Sequence, residues 1–233
     1  MLSDILIDSL PRYETKIPSS NKSVTFRPFL VRDEKTLLIS SETSEKKDLI
    51  VTLSNLVENC FDGIEDINDL YMSDLEYLLI ELRSKSIGDI IDFAVVTENS
   101  NEVDITLNLS SDIQIQGDYK DTTIDLGKNV ACKFRHPRVK DFISDDLNES
   151  NPDDFMKIMA KCLVEITNKD ETINTELFSQ QEKIEFLESM NKKQFESVIE
   201  HFANTPKLTA TKVYEEDGKE RQIRFEGVKD FFV

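Results

Sequence analysis

The sequence predicts an α+β protein built from two similar units, each running strand, helices and then β-hairpin. Three observations carry that reading. The spacing of apolar residues switches repeatedly between the helical and the strand period. A phrase of Phe-Arg, three residues, Val, a basic residue and Asp occurs twice, as FRPFLVRDE from Phe26 and as FRHPRVKDF from Phe134. The same order of elements then follows each phrase, which points to an internal duplication in a pseudo-twofold arrangement. The boundaries that follow are an extended N-terminal arm over 1–23, a first unit over 24–117 and a second over 118–233, packed as one body.

Element by element, Pro11, Pro18 and the SSNKS cluster make the opening segment an arm, and Lys22 to Phe26 alternates as a strand that Pro28 ends. A short helical stretch, EKTLLIS, precedes a polar linker. Leu49, Leu53, Leu56, Val57 and Cys60 share one helical face, and Ser73 with Glu76 forms a capping-box pattern ahead of Leu75, Leu78, Leu79 and Leu82. An acidic loop joins these helices, and Gly88 stops the second. Ile91, Phe93 and Val95, then Val103, Ile105 and Leu107, alternate around TENSNE as a hairpin that Ile113 and Ile115 can extend.

In the second unit Val130 to Phe134 reads as a strand and Val139 to Ile143 as a helical stretch. Asn151 caps a helix that opens on Pro152, with Phe155, Met159, Cys162, Leu163 and Ile166 on its apolar face. LVEI at Leu163 thereby matches LVEN at Leu56. Ser179 with Glu182 and Asn191 with Gln194 cap two further helices, and the dipeptide Asp217-Gly218 turns a final hairpin. Phe231 and Phe232 are expected to dock on the body.

Composition bounds the function. The 39% of hydrophobic residues, fourteen Phe among them, suffice for a core despite 32% charged residues. With 46 acidic against 28 basic residues the net charge is −18, and no run of Lys or Arg exceeds two, so neither nucleic acid nor a membrane surface is an expected partner. Three cysteines without a CxxC pair fit a reducing compartment, and no apolar run is long enough to span a bilayer. A soluble cytoplasmic protein is expected.

No sequence pattern supplies chemistry. Six glycines form no phosphate-binding loop and no nucleophile elbow, and HExxH is absent. Cys132 and His136 have metal-like spacing, to which Cys60 or Cys162 could be added, but a strand thiol and a surface histidine account for them. The acidic segments Asp62 to Asp69 and Asn168 to Glu176 lack the glycine and glutamate that an EF-hand loop needs. A non-enzyme with no cofactor and no metal is expected.

The repeated phrase offers Phe26, Arg27, Val31 and Asp33 beside Phe134, Arg135, Val139 and Asp141. Arg27 and Arg135 serve either as anchors for an acidic partner or as bridges to an acid of their own unit, and their duplication favours bridges, with the two Phe in equivalent core positions. The recognition surface is therefore sought at Arg83, Ser84, Lys85 and Ser86, a basic patch at a helix end, and at the acidic segments.

LPRYETKIPSS, VTFRPFLVRDEKTLL, MSDLEYLLIELRSKSIGD, KKQFESVIEHFANTPKL and IRFEGVKDFF stand in an order that resembles the T4-like phage baseplate hub family, the hub assembly proteins of contractile-tailed phages. The resemblance implies a non-enzymatic protein that binds other phage hub or tail proteins in the cytoplasm of an infected bacterium. It leaves open an assembly factor or a permanent hub subunit. A metal-dependent enzyme is the remote alternative.

Overall fold

The computed structural model describes residues 2–35, 46–96, 102–143, 151–169, 171–216, 218–227 and 231. It mixes helices with antiparallel sheets, the α+β class that alternating periods predict.

Helix α1 (Leu2–Asp8) leads to strand β1 (Tyr13–Lys16), which pairs antiparallel with β2 (Ser23–Phe26). The N-terminal segment is therefore a helix and an edge strand where an extended arm was expected. Tyr13 lies opposite Phe26 in the ladder with its ring 5.6 Å away, a contact that ties the segment down. Helix α2 begins at 31 and is described to 35; most of EKTLLIS and its linker lie outside the described residues.

Helix α3 (Lys46–Cys60) runs straight into β3 (Phe61–Asp62), which pairs with β2. A 3-10 turn (Ile67–Asp69) follows, capped by the Asp66 side chain, so the expected acidic loop is an ordered connection. Helix α4 (Met72–Ser86) has Tyr71 as its N-cap, with the Tyr71 N–H reaching Asp74 at 3.4 Å. That cap displaces the expected Ser73–Glu76 pair. Asp74 is fixed by Ser19, whose N–H and Oγ–H donate to its two carboxylate oxygens at 3.0 and 2.6 Å.

Strands β4 (Ile90–Val96) and β5 (Glu102–Asn108) form the predicted hairpin, whose TENSNE turn lies largely outside the described residues. After the short helix α5 (Leu109–Asp112), strand β6 (Gln114–Gln116) does not extend that hairpin. It pairs instead with β11 (Lys207–Glu216), Ile115 opposite Leu208, and β11 pairs with β12 (Lys219–Glu226). Gly117 permits this detour: at φ +105° it passes so close to the Asn204 carbonyl that a Cβ would lie 2.6 Å from it.

In the second half, β7 (Thr122–Gly127) and β8 (Val130–Phe134) form a hairpin turned by Lys128 and Asn129 at positive φ. Helix α6 (Val139–Ile143) is as predicted. Helix α7 (Pro152–Cys162), capped by Asn151, ends four residues before the expected Ile166, because LVEITN is strand β9 (Leu163–Asn168), paired with β8 and β10 (Glu171–Asn174). LVEN and LVEI are thus not counterparts, one lying in a helix and the other in a strand. A 3-10 turn (Thr175–Leu177) leads to α8 (Gln180–Glu188) and α9 (Lys192–Ala203), each with the predicted capping box.

Three apolar clusters result among the described residues. The first gathers Phe26, Leu53, Val57, Leu75, Leu78, Leu79 and Val139; the second Phe134, Ile158, Cys162, Leu163, Leu187, Val198 and Phe202. The third gathers Ile80, Ile91, Ile105, Leu107, Leu208, Phe225 and Phe231, drawing on residues either side of 117/118. Phe231 is fully buried, as expected, and Phe232 lies outside the described residues.

Candidate functional site

The two Phe-Arg phrases make matching sets of contacts. Phe26 ends β2 opposite Phe61, Phe134 ends β8 opposite Leu163, and both are fully buried. The Arg27 N–H donates to the Cys60 carbonyl at 3.1 Å, and the Arg135 N–H donates to the Cys162 carbonyl at 3.0 Å. The guanidinium of Arg27 donates from Nη2 to the Asn59 carbonyl at 3.0 Å, and from Nη1 to Pro28 O at 2.9 Å and Asp33 at 3.1 Å. That of Arg135 donates from Nη2 to the Lys161 carbonyl at 3.0 Å, from Nη1 to His136 O at 3.2 Å, and through both nitrogens to Asp141 at 2.6 and 2.8 Å. Each carboxylate also accepts a backbone N–H, from Leu30 at 2.8 Å and from Arg138 at 2.7 Å.

The need for these clamps is local. The last carbonyls of a helix have no intrahelical donors, and α3 and α7 each turn into a strand without a glycine stop. An arginine placed there satisfies those oxygens and sets a positive charge at the negative helix end. Burial is the largest single influence and works against the Arg135 charge, but the Asp141 hydrogen bond and the charge attractions of its neighbours together outweigh it and raise the pKa. Burial also pushes the neighbouring thiols up, Cys60 to about 11 and Cys132 to about 12, so all are protonated at neutral pH.

Val31 and Val139 part company. Val139 is fully buried because α6 docks on the first half: its N–H donates to the Leu70 carbonyl at 2.9 Å, and Arg138 bridges to Tyr71. Asp69 collects Lys140 Nζ at 2.6 Å and Arg138 Nη1 at 3.2 Å, and the Arg138 guanidinium sits 5.7 Å above the Tyr71 ring. A twofold arrangement would repeat this contact between α2 and the second 3-10 turn. Val31 and Leu177 are each 83% exposed, so the contact runs one way only and the expected pseudo-twofold relation is not made.

Three residues of the RSKS patch face inward. Arg83 is buried and donates to the Gly88 carbonyl at 3.2 Å, Ser84 donates to Asp89, and Ser86 accepts the Phe29 N–H at 3.0 Å while donating to Leu82 O at 2.6 Å. Lys85 alone of the four is exposed. The patch secures the C-terminal turn of α4.

Sequence reasoning missed the pairing of His136 and His201, the two histidines of the chain, whose only signal was their rarity. Both are buried, against the expectation of a surface His136, and their rings stack 4.3 Å apart at 16°. His136 Nδ1 lies 3.2 Å from Thr205 Oγ1. Burial first, then the neighbouring imidazole, hold His136 down at about 4, and burial lowers His201. Both are therefore neutral at pH 7, in the wall of an open cleft of about 520 Å³ shared with Asp118 and Glu200. Cys132 does not join them: its thiol faces the Ile124 carbonyl. Among the described residues no group of three or more His, Cys, Asp or Glu is placed to hold a metal ion, and no helix is long and apolar enough to cross a membrane.

Taken together these features define an acidic α+β scaffold whose largely buried Arg–Asp pairs lock its own helix ends and whose half-exposed Asp69–Arg138–Lys140 cluster helps join its two halves. A family model described as "T4 bacteriophage base plate protein" matches residues 10–233, and the chain belongs to that family. No curated protein and no solved structure matches it.

Proposed function

We propose that this chain acts without catalysis as an assembly factor of the baseplate hub in a contractile-tailed phage, holding hub or tape-measure components in the cytoplasm of the infected bacterium while the tail is built. Membership of the baseplate family supports the setting. The observation that carries the reading is charge. The net −18 is left on a surface where several cations already face acids, Arg12 with Asp62, Lys22 with Glu65, and Lys140 with Asp69. Such a surface draws in and shields a basic partner, and its effect falls on the encounter rate more than on final affinity. The chain needs no cofactor and engages neither nucleic acid nor membrane.

A permanent place in the hub is the second reading, and α1 favours it. Ile5 and Leu6 are 68% and 71% exposed on adjacent positions, an apolar turn that a lasting neighbour would cover.

Pull-down of the tagged chain from infected cells, with proteomics of purified particles alongside, separates the two. An assembly factor is captured with hub components and is missing from particles; a subunit is present in particles in fixed ratio. Capture that survives high salt and the charge reversals Glu65→Lys and Glu171→Lys unchanged would remove the electrostatic mechanism.

A further inference from the structure

The docking of α6 on the first half has a complement that the chain leaves unused. Val139 follows Arg135 as Val31 follows Arg27, four residues on, and each valine opens a helical turn held by the same arginine clamp. On the receiving side, the 3-10 turn Ile67–Asp69 ends at Leu70 as its cap, and the 3-10 turn Thr175–Leu177 ends at Phe178. The first turn follows the clamped α3 and β3, the second the clamped α7 and the β9–β10 hairpin, and each leads into the capping box of the next helix. Within the chain, the second α6 turn sits on the first receiving turn. Left over are the first docking turn, carrying Val31, and the second receiving turn, carrying Leu177 and Phe178, with exposures of 83%, 83% and 40%.

We propose that these two surfaces bind each other between copies of the chain, α2 of one copy seating on the Thr175–Leu177 turn of the next. The internal contact supplies the template. There Arg138 and Asp69 form an ion pair at 3.2 Å. The corresponding positions in the open surfaces are Leu30 and Leu177, so both members of that pair are apolar together and remain matched. Arg32 stands where Lys140 does, and exposed Glu176 lies beside Leu177 to receive it.

The association is head to tail, which leaves a free surface at each end of any short assembly and builds rings or filaments, not closed twofold dimers. It is weaker than the internal contact, because Glu34 and Lys35 replace Phe142 and Ile143, which pack against the first core. Repulsion between two chains of charge −18 opposes it at low ionic strength, so added salt strengthens it. That is the reverse of the salt response expected for capture of a basic partner, and the inference stands on geometry alone, whichever tail component the chain holds.

Light scattering of the purified full chain over a concentration series up to about 1 mM, where small and weak interfaces fill, reads the weight-average mass. The native chain is expected to rise past twice the mass of one chain, more steeply in high salt. Val31→Asp and Leu177→Asp, both at exposed positions, are each expected to stay at one chain mass with unchanged circular dichroism. An equimolar mixture of the two variants retains one intact docking turn and one intact receiving turn, and is expected to level off toward twice that mass. A native chain that stays monomeric throughout or stops at a dimer, a single variant that associates like the native chain, or a mixture that does not pair while the native chain associates, would each overturn the proposal.

Discussion

Replacing Arg135 by Met removes a guanidinium that makes charge-assisted bonds to Asp141 at 2.6 and 2.8 Å and caps the Lys161 carbonyl at 3.0 Å. Asp141 is only 4% exposed, so its carboxylate would be left in the interior without its countercharge, still accepting the Arg138 N–H. Breaking a buried pair from one side costs about 3–5 kcal/mol, against roughly 0–1 for an exposed pair. That is a large share of a total stability of about 5–15 kcal/mol. At a urea slope of about 2–3 kcal/mol/M, the unfolding midpoint should fall by roughly 1–2 M. Arg135→Met combined with Asp141→Leu removes the stranded charge and should recover about half of the loss, the helix-end carbonyls still lacking their donor. Arg135→Lys should recover little, since an ammonium cannot span the carboxylate and the carbonyl as a planar fork does. Urea unfolding followed by circular dichroism tests all three. A loss below about 1 kcal/mol for Arg135→Met, or a double variant as unstable as the single one, would refute the view that Arg135 is a desolvated clamp.

Two further outcomes follow from other parts of the structure. His136, held at about 4 in the folded chain against an ordinary value of 6.5, takes up its proton more readily when unfolded. Its contribution is complete above about pH 6.5 and is lost as pH falls toward 4, by about 3 kcal/mol at most, so the native chain should lose more stability over that window than His136→Asn in pH-dependent urea titrations. Gly117→Ala places a methyl 2.6 Å from the Asn204 carbonyl at a φ of +105° and should lower the melting temperature by several degrees, a cost of about 2 kcal/mol or more, whereas Gly218→Ala, with open space around it, should cost only its backbone strain of about 1 kcal/mol.

How far the sequence foretold this depends on the range of the interactions. Caps at Asn151, Ser179 and Asn191, the β4–β5 hairpin and the α6 turn are set by residues within a few positions of one another, and local chemistry specifies them. The Phe-Arg phrases were legible because each Arg reaches an Asp six residues on. Where the partner is distant, pattern misleads. LVEITN carries apolar residues at helical spacing after α7, yet it becomes a strand because β8 and β10 flank it on both sides. Ile113 and Ile115 continue the alternation of β5, but β6 is claimed by β11 from the other end of the chain. RSKS reads as a basic surface, and only the fold around Gly88 and Asp89 reveals that Arg83 and Ser84 are occupied internally. Val31 and Val139 stand at the same place in their phrases, and their unequal fates turn on the residues around them, Phe142 and Ile143 packing against the first core where Glu34 and Lys35 stand in the other phrase.

The third apolar cluster bears on how the protein is made. Ile91, Ile105 and Leu107 leave the ribosome first, but Leu208, Phe225 and Phe231, which cover them, emerge only after roughly a hundred further residues have been made. At roughly 5–20 residues per second, β4, β5 and β6 wait several seconds with one apolar face and one strand edge open. A product cut short before β11 would keep that face and edge for good, offering them to chaperones, proteases or its own kind. The β11–β12 hairpin thus acts as a completeness check at the level of folding, since only a chain that has reached it can bury the surface its middle has already exposed.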